Sequence, residues 1–204
     1  MILSQPQIRE CVEKGEIRFD PPLQDRQWSE ASIDLRLGFK FTKFLPSEAA
    51  IFSMAKGIGA VAETALWHEE VFEERDKFGK RRTYILDQGE FILAQTLEHI
   101  WMPRNLIAMV EGRSTYARVG LSMHQTAPWI QPGWDGQITL EIRNSGPLRI
   151  ELTPGDDMPC QLTFFQLTSE LAQDEAYGSR PTDIFKIKQV RCLRRNSYPC
   201  EAWR

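Results

Sequence analysis

Two clusters of polar residues between positions 111 and 146 have the chemistry needed to act on a phosphorylated ligand. The first reads GRSTYARVG (residues 112–120) and follows an apolar run. Arg113 and Arg118 flank two hydroxyl residues, and such groups at a strand-to-turn junction form charge-assisted hydrogen bonds with phosphate oxygens. The same letters are equally compatible with a short helix capped by Ser114, with both arginines in solvent.

The second cluster lies in a strand predicted over residues 137–143. Apolar and polar residues alternate along it, which gives it two faces: Ile138, Leu140 and Ile142 on one, and Thr139, Glu141 and Arg143 on the other. A carboxylate between a hydroxyl and a guanidinium suits either a catalytic site or a surface ladder. Because alternating polar residues usually face solvent, the residues alone favour the surface.

A zinc site of the HxE and PCxxC type is not predicted. The letters HEE at 68–70 match the first half, but neither Cys160 nor Cys200 is followed by a second cysteine at the required spacing. One histidine and one cysteine cannot complete such a site. His68 is therefore interpreted as an exposed residue in a charged segment.

Composition limits the class of protein. The 204 residues are 42% hydrophobic and carry a net charge of -3, which predicts a packed core and argues against binding to a nucleic acid polymer. The first ten residues do not resemble a secretory signal and no apolar run is long enough to span a bilayer, so a cytoplasmic location is the default expectation. Four cysteines are spaced as reduced thiols: Cys11, Cys160, Cys192 and Cys200.

The surrounding elements are predicted to be mainly β. Ser4 and Gln7 form a possible capping box for a short N-terminal helix that stops at Gly15. Residues 33–41 alternate with period two and predict one long strand with one buried face. Further strands, separated by turn signals, are predicted at 83–86, 91–97, 106–110, 137–143, 148–152 and 161–167. Residues 47–80, which include a long charged run, predict a helix or a long excursion with a solvated face.

Four motifs, in order and with consistent spacing, resemble the dCTP deaminases of the deaminase/dUTPase superfamily. They are ASIDLRLG (31–38), GEFILAQTLEHIWMP (89–103), EGRSTYARVGL (111–121) and PGWDGQITLEIRNSG (132–146). The resemblance implies one dCTP deaminase-like domain over 1–204, with a divergent tail from about 178. It also implies a distorted β-barrel or jelly-roll-like fold, assembled as a homotrimer with active sites between subunits.

The resemblance further assigns roles to individual residues. Glu141 would be the catalytic carboxylate, with Arg118 and Ser114 orienting it and the attacking water. Mg²⁺ would be bound through the triphosphate, without zinc. The implied substrate-binding residues are Arg113, Ser114, Thr115, Tyr116, Ala117, Arg118, Gln131, Thr139, Leu140, Glu141, Tyr177, Lys186 and Gln189.

The chain departs from the family pattern in two places. Trp129 stands where an arginine is common, and Gln131 stands where an aspartate is common. The tail also lacks the family's glycine- and glutamine-rich end. The leading interpretation is deamination of dCTP to dUTP and ammonia. The alternatives are a dUTPase or a bifunctional enzyme that continues to dUMP, and an inactive nucleotide sensor on the same fold. The sequence leaves open the phosphate preference, feedback inhibition by dTTP and the role of the basic tail.

Overall fold

The computed structural model describes residues 1–44 and 67–179. In this part of the chain, helix α1 (Gln5–Glu13) and the one-turn helix α2 (Ser114–Ala117) accompany a 3-10 turn at Asp25–Gln27. The strands are β1 (Arg18–Asp20), β2 (Ile33–Leu35), β3 (Lys40–Phe44), β4 (Trp67–Val71), β5 (Tyr84–Leu86), β6 (Phe91–Trp101), β7 (Leu106–Gly112), β8 (Leu121–Ser122), β9 (Trp129–Ile130), β10 (Asp135–Asn144), β11 (Ile150–Leu152) and β12 (Cys160–Gln166).

The strands pair antiparallel in three sheets. The largest has the order β4-β3-β6-β10-β8, with β1 also paired to β6. The second has the order β2-β12-β7-β9, and β11 pairs with β5. The prediction of a mainly β fold is confirmed, although ladder hydrogen bonds do not close the described strands into one barrel. The central β6–β10 pair runs from Asp135↔Trp101 to Arg143↔Phe91 and positions the strand that carries the second polar cluster.

The N-terminal helix forms as predicted. Gln7 Oε1 accepts hydrogen bonds from the backbone N and the Oγ of Ser4, at 3.0 and 3.1 Å. Gly15 ends the turn with a φ of 72°, a conformation that favours glycine because it has no Cβ. Ile8 is fully buried, so the apolar face of the helix packs on the sheets.

Residues 33–41 do not form the single strand that their alternation predicted. β2 ends at Leu35 and β3 begins at Lys40, and the two strands belong to different sheets. Asp34 and Arg36, which the alternation placed on the open face, are only 8% and 6% exposed. Both faces of this segment are therefore buried.

The physical reason is a crossing between the two large sheets. Arg36 donates from Nε to Glu98 Oε1 at 2.7 Å, and its backbone N donates to Glu98 Oε2 at 3.0 Å. Gly38 then donates to the carbonyl of Gln95 at 2.8 Å. A Cβ on Gly38 would lie 2.9 Å from that oxygen, so the close approach requires glycine.

The charged run after position 66 is also partly a strand. Trp67–Val71 pairs with β3, with Phe41↔Glu70 and Lys43↔His68 in register. The prediction of a helix is therefore wrong for this portion. The strand pairs with β3, and the charge pattern gives no indication of that partner. His68 is exposed, as predicted. The prediction for 47–66 lies outside the described residues.

The inner faces of the sheets enclose one contiguous apolar core. It contains, among others, Ile33, Leu35, Ile92, Leu140 and Phe164, each fully buried. Cys11 and Cys160 are free thiols, and burial raises the pKa of Cys160. None of the described helices has the length and apolar character that crossing a bilayer would require.

Candidate functional site

Glu141 lies on the open face of β10, next to a fully packed inner face. The alternation prediction is confirmed here, since Ile138, Leu140 and Ile142 are at most 2% exposed. Thr139 is exposed and Glu141 is half-buried. Leu140 can therefore reach a ligand only through its backbone, because its side chain is in the core.

A turn after β8 holds the Glu141 carboxylate in place. The backbone N of Gln125 donates to Glu141 Oε2 at 2.9 Å, and Gln125 Nε2 donates to the Glu141 carbonyl at 3.1 Å. The backbone N of Glu141 in turn donates to Met123 O at 2.9 Å. One carboxylate oxygen is thus fixed by a backbone donor, while Oε1 has no hydrogen bond among the described residues. Sequence reasoning missed Gln125 because no local pattern pairs positions 125 and 141.

The arginine and hydroxyl cluster forms the short helix α2, but Arg113, not Ser114, occupies the N-cap position. The Arg113 carbonyl accepts from the backbone N of Tyr116 and of Ala117, both at 3.0 Å. Ser114 and Arg118 are exposed, as are the other outward positions, Thr115 and Ala117. Tyr116 packs partly against the core. The helix therefore presents a hydroxyl and a guanidinium to solvent.

Two glycines bring α2 against the end of β10. Gly120 follows the helix with a φ of 91°, and a Cβ there would lie 2.2 Å from the backbone N of Gly146. The backbone N of Ser145 donates to Gly120 O at 2.8 Å. β8 then pairs with β10 through Arg143↔Ser122. The cluster and Glu141 are thereby joined to one hairpin, although no hydrogen bond links Glu141 to Ser114 or Arg118 in the described chain.

The loop before β10 forms a third part of the site region. Gly133 has a φ of 81°, and a Cβ there would lie 2.9 Å from the Cβ of Ala176. The backbone N of Tyr177 donates to Pro132 O at 2.9 Å, and its ring lies 5.0 Å from the ring of Trp134. Tyr177 is thus brought to the predicted segment across a long stretch of sequence.

Two further residues complete this loop. Gln131 accepts from the backbone N of Trp134 at 3.1 Å through its carbonyl, which leaves the side-chain amide out of that bond. Trp134 was not singled out from the sequence. Its position directly after Pro-Gly in a turn was the available signal.

Trp129 lies on the outer face of the four-stranded sheet. It is 48% exposed, and its ring packs edge-on against Phe165 at 5.6 Å. Met109, its register partner in β7, is half-buried on the same face. Where the resemblance implies an arginine, this chain therefore has part of an apolar surface.

The candidate site is an open surface in the single chain. Two surface cavities of the described residues, one beside Tyr84 and one beside Tyr177, include neither Glu141 nor any residue of α2. Within residues 1–44 and 67–179, no three His, Cys, Asp or Glu side chains are grouped as a metal site requires. Lys186 and Gln189 lie outside the described residues.

Comparison with known proteins places this arrangement in a family. The profile described as dCTP deaminase-like matches residues 2–167, which include every part of the site described above except Tyr177 and its neighbour Ala176. The chain belongs to the dCTP deaminase-like family. A dCTP deaminase of Rhodospirillum rubrum is 35% identical over 189 residues, covering 91% of this chain and 92% of that protein. A protein of Methanobrevibacter smithii named dCTP deaminase, dUMP-forming, is 36% identical over 190 residues, covering 93% and 92%.

A solved structure supports the fold of this family member. The 2'-deoxycytidine 5'-triphosphate deaminase from Agrobacterium tumefaciens superimposes with a TM-score of 0.59 at 21% identity, over 80% of this chain. The superposition spans 46% of that longer chain. At this identity the likeness concerns the backbone arrangement alone.

The contact between Gly120 and Gly146 generates a test by unfolding. Gly120→Ala adds a Cβ both to a left-handed residue and to a space already filled by the Gly146 backbone. Gly89→Ala is the matched control, because Gly89 has a φ of 76° but open space around its Cβ position. We expect the control to lower the free energy of unfolding by about 1–2 kcal/mol and Gly120→Ala by about 1–3 kcal/mol more. Denaturant titrations measure both, and equal losses would contradict the packing argument.

Proposed function

We propose that this protein deaminates dCTP hydrolytically, giving dUTP and ammonia, with Glu141 as its acid and base. The observation that carries the proposal is the placement of Glu141, held by Gln125 on the open face of β10. The same hairpin holds an exposed hydroxyl and guanidinium on α2, in a member of the dCTP deaminase-like family. A cytoplasmic location is part of this proposal.

The proposed chemistry needs one carboxylate that moves protons. Glu141 takes a proton from water as the water oxygen attacks C4 of the cytosine ring, and passes it to ring N3. A second proton, from the hydroxyl at C4, passes through Glu141 to the amino group. The C4–N bond then breaks, ammonia leaves and the C4 carbonyl of uracil forms. Gln125 occupies one carboxylate oxygen, so Oε1 is the oxygen left for the water and its protons.

The other groups are assigned to substrate binding. The substrate is the magnesium complex of dCTP, in which phosphate oxygens rather than protein side chains are the main ligands of the metal ion. Ser114, Thr115 and Arg118 would bind the triphosphate through hydroxyl and guanidinium donors. The pyrimidine would contact Thr139 and the Leu140 backbone. The ligand's remaining proposed contacts are Gln131, Tyr177, Lys186 and Gln189.

The active unit is proposed to be a homotrimer with sites shared between subunits. A lone chain leaves Ser114 and Arg118 in solvent and Glu141 half-open, whereas catalysis of this kind benefits from exclusion of water. The exposed apolar surface around Trp129 and Phe165 supports association, since such patches commonly mark interfaces. A second copy would enclose the substrate without any change in the fold of the first.

Light scattering tests the assembly. We expect a mass three times that of the chain, with activity that falls when the protein is diluted below its association range. A monomer that retains full activity would refute the shared site. Trp129→Glu places a carboxylate in this apolar surface and should weaken association if the surface is at the interface.

The catalytic role is tested with Glu141→Gln. The amide keeps the shape but cannot carry protons, so turnover of dCTP should fall by roughly 10²–10⁴-fold or more while nucleotide binding is largely kept. Glu151→Gln is the matched control, because Glu151 is an exposed carboxylate on β11. Chromatography of a panel of cytosine and uracil nucleotides identifies the products. Turnover should survive a zinc-selective chelator when Mg²⁺ is restored. A near-normal rate for Glu141→Gln would rule out Glu141 as the acid and base. A requirement for stoichiometric zinc would rule out a mechanism without zinc.

A second candidate is a bifunctional enzyme that continues to dUMP, as the name of the Methanobrevibacter smithii relative suggests for that protein. Hydrolysis at a phosphate needs a base to activate a second water. Gln131 stands where the family commonly has an aspartate, and a neutral amide is a poor base. Residues 179–204 contain no glycine, the residue that gives a phosphate-wrapping segment its flexibility. We therefore propose that the reaction stops at dUTP.

The product is decided by supplying dUTP and dCTP separately and measuring pyrophosphate. We expect ammonia without pyrophosphate from dCTP, and no turnover of dUTP. Pyrophosphate release at a rate comparable to deamination would promote the bifunctional reading. Gln131→Asp provides the comparison, because it restores the acceptor common in the family at the same position.

A further inference from the structure

The two arginines at the ends of α2 have different surroundings. Arg118 is exposed, and its guanidinium makes no ion pair with any described residue. Arg113 is only 31% exposed, and its Nε lies 3.2 Å from Asp34 Oδ2. Its Nη1 donates to the carbonyl of Met158 at 3.1 Å. Two chemically identical groups, five positions apart, are therefore a free cation and an occupied one.

Asp34 is a built partner for Arg113. Its side chain is 11% exposed, and it lies in β2 opposite Gln161 of β12. Burial raises the pKa of the Asp34 carboxyl, and the Arg113 guanidinium opposes that rise. A buried carboxylate needs a paired cation or donor. If the Arg113 guanidinium moved away to bind a phosphate, Asp34 would lose its charge partner.

The backbone of Arg113 is tied to the same region. Its N donates to Pro159 O at 3.1 Å, just before β12 begins. Its side chain reaches Met158 in the same segment. Its carbonyl receives the first hydrogen bonds of α2, from Tyr116 and Ala117. Arg113 thus attaches the start of the helix, through its N, Nη1 and Nε atoms, to the segment just before β12 and to Asp34 of β2.

We propose that Arg113 is a positioning residue, held by Asp34, that orients α2, and that Arg118 is the cation of this helix that meets the phosphates. This inference rests on the proposed function, because it assigns different roles to two arginines of the same proposed substrate-binding segment. The helix has only one turn, so its own hydrogen bonds cannot fix its direction. The Asp34–Arg113 contact supplies that direction from outside the helix, and Ser114 and Arg118 follow from it.

A binding series separates the two roles. Dissociation constants for dCTP and dCDP are measured by titration calorimetry in the Glu141→Gln background, so that no nucleotide is consumed. Arg118→Ala should weaken dCTP by roughly 10- to 100-fold, as expected for a charged hydrogen bond, and should weaken dCDP less. Arg113→Gln should weaken both nucleotides because α2 loses its direction, and most of this loss should disappear when Arg118→Ala is already present. A full, additive loss for Arg113→Gln in the Arg118→Ala background would overturn the proposal.

A double-variant cycle then tests whether Arg113 acts through Asp34. If it does, Asp34→Asn weakens binding, and adding Arg113→Gln to it causes little further loss. If the guanidinium binds phosphate, Asp34→Asn leaves affinity unchanged or improves it, and Arg113→Gln still causes its full loss in that background. Arg113→Lys keeps the charge but cannot donate to Asp34 and Met158 in the same geometry. It should therefore behave like Arg113→Gln, and full rescue by lysine would contradict the anchor.

Thermal unfolding without nucleotide keeps this inference separate from the proposed function. The effects of Asp34→Asn and Arg113→Gln on the unfolding temperature should be non-additive, while Arg118→Ala should change it little. Additive effects would rule out the Asp34–Arg113 contact as the anchor of α2. If the coupling is present but wild-type protein neither binds nor deaminates dCTP, the anchor stands and the proposed function fails.

Discussion

The two large sheets meet at a buried ion pair between Arg36 and Glu98, whose side chains are 8% and 0% exposed. Charges this deep are costly unless they are paired and hydrogen-bonded. The carboxylate of Glu98 has several donors, whereas Arg36 Nη2 has no partner among the described residues. Glu98 receives two bonds from Arg36 and a third, at 2.8 Å, from Gln27 Nε2. The same amide donates to the carbonyl of Asp34. Glu98 belongs to the sheet that carries β6 and β10, whereas Asp34 belongs to the sheet that carries β2 and β12, so one polar cluster sets how the sheets face each other.

The site region inherits its geometry from both sides of this junction. On one side, β6 pairs with β10, and Glu141 lies opposite Leu93 in that ladder. On the other, β2 presents Asp34 to Arg113, which starts α2. The Gly120 contact with the β10–β11 turn then closes the distance between the two parts. A carboxylate and a cation that come from different sheets can hold a fixed relation only if the sheets themselves cannot slide. The buried ion pair provides that restraint.

The sequence predicted those features whose causes are local. The capping box of α1 and the inward face of β10 depend on neighbours three or two residues apart, and both are present. The prediction of one strand with an open face around Arg36 was wrong. The partner of Arg36, Glu98, is 62 residues away, and an arginine in an alternating pattern ordinarily faces water. The ion pair of Arg113 could not be predicted for the same reason, since nothing near position 113 in the sequence indicates Asp34. Gln125 and Trp134 were missed because their contacts depend on how loops fold onto β10. Family resemblance suggested the catalytic role proposed for Glu141, which periodicity alone would have assigned to the surface.

The remaining question is how an open carboxylate becomes a controlled proton carrier. Glu141 is half-buried, with a backbone donor on one carboxylate oxygen and no hydrogen bond to a described residue on the other. Water near a bare carboxylate would compete with the substrate for every proton the reaction moves. The enclosure must therefore come from groups other than the described residues of one chain, such as the nucleotide or a second copy. Any such group would cover the same face of β10, because its other face is already packed in the core. The fold thus leaves one face of β10 open for completion of the proposed site, and α2, on which Arg118 is exposed, is joined to the end of that strand through the Gly120 contact.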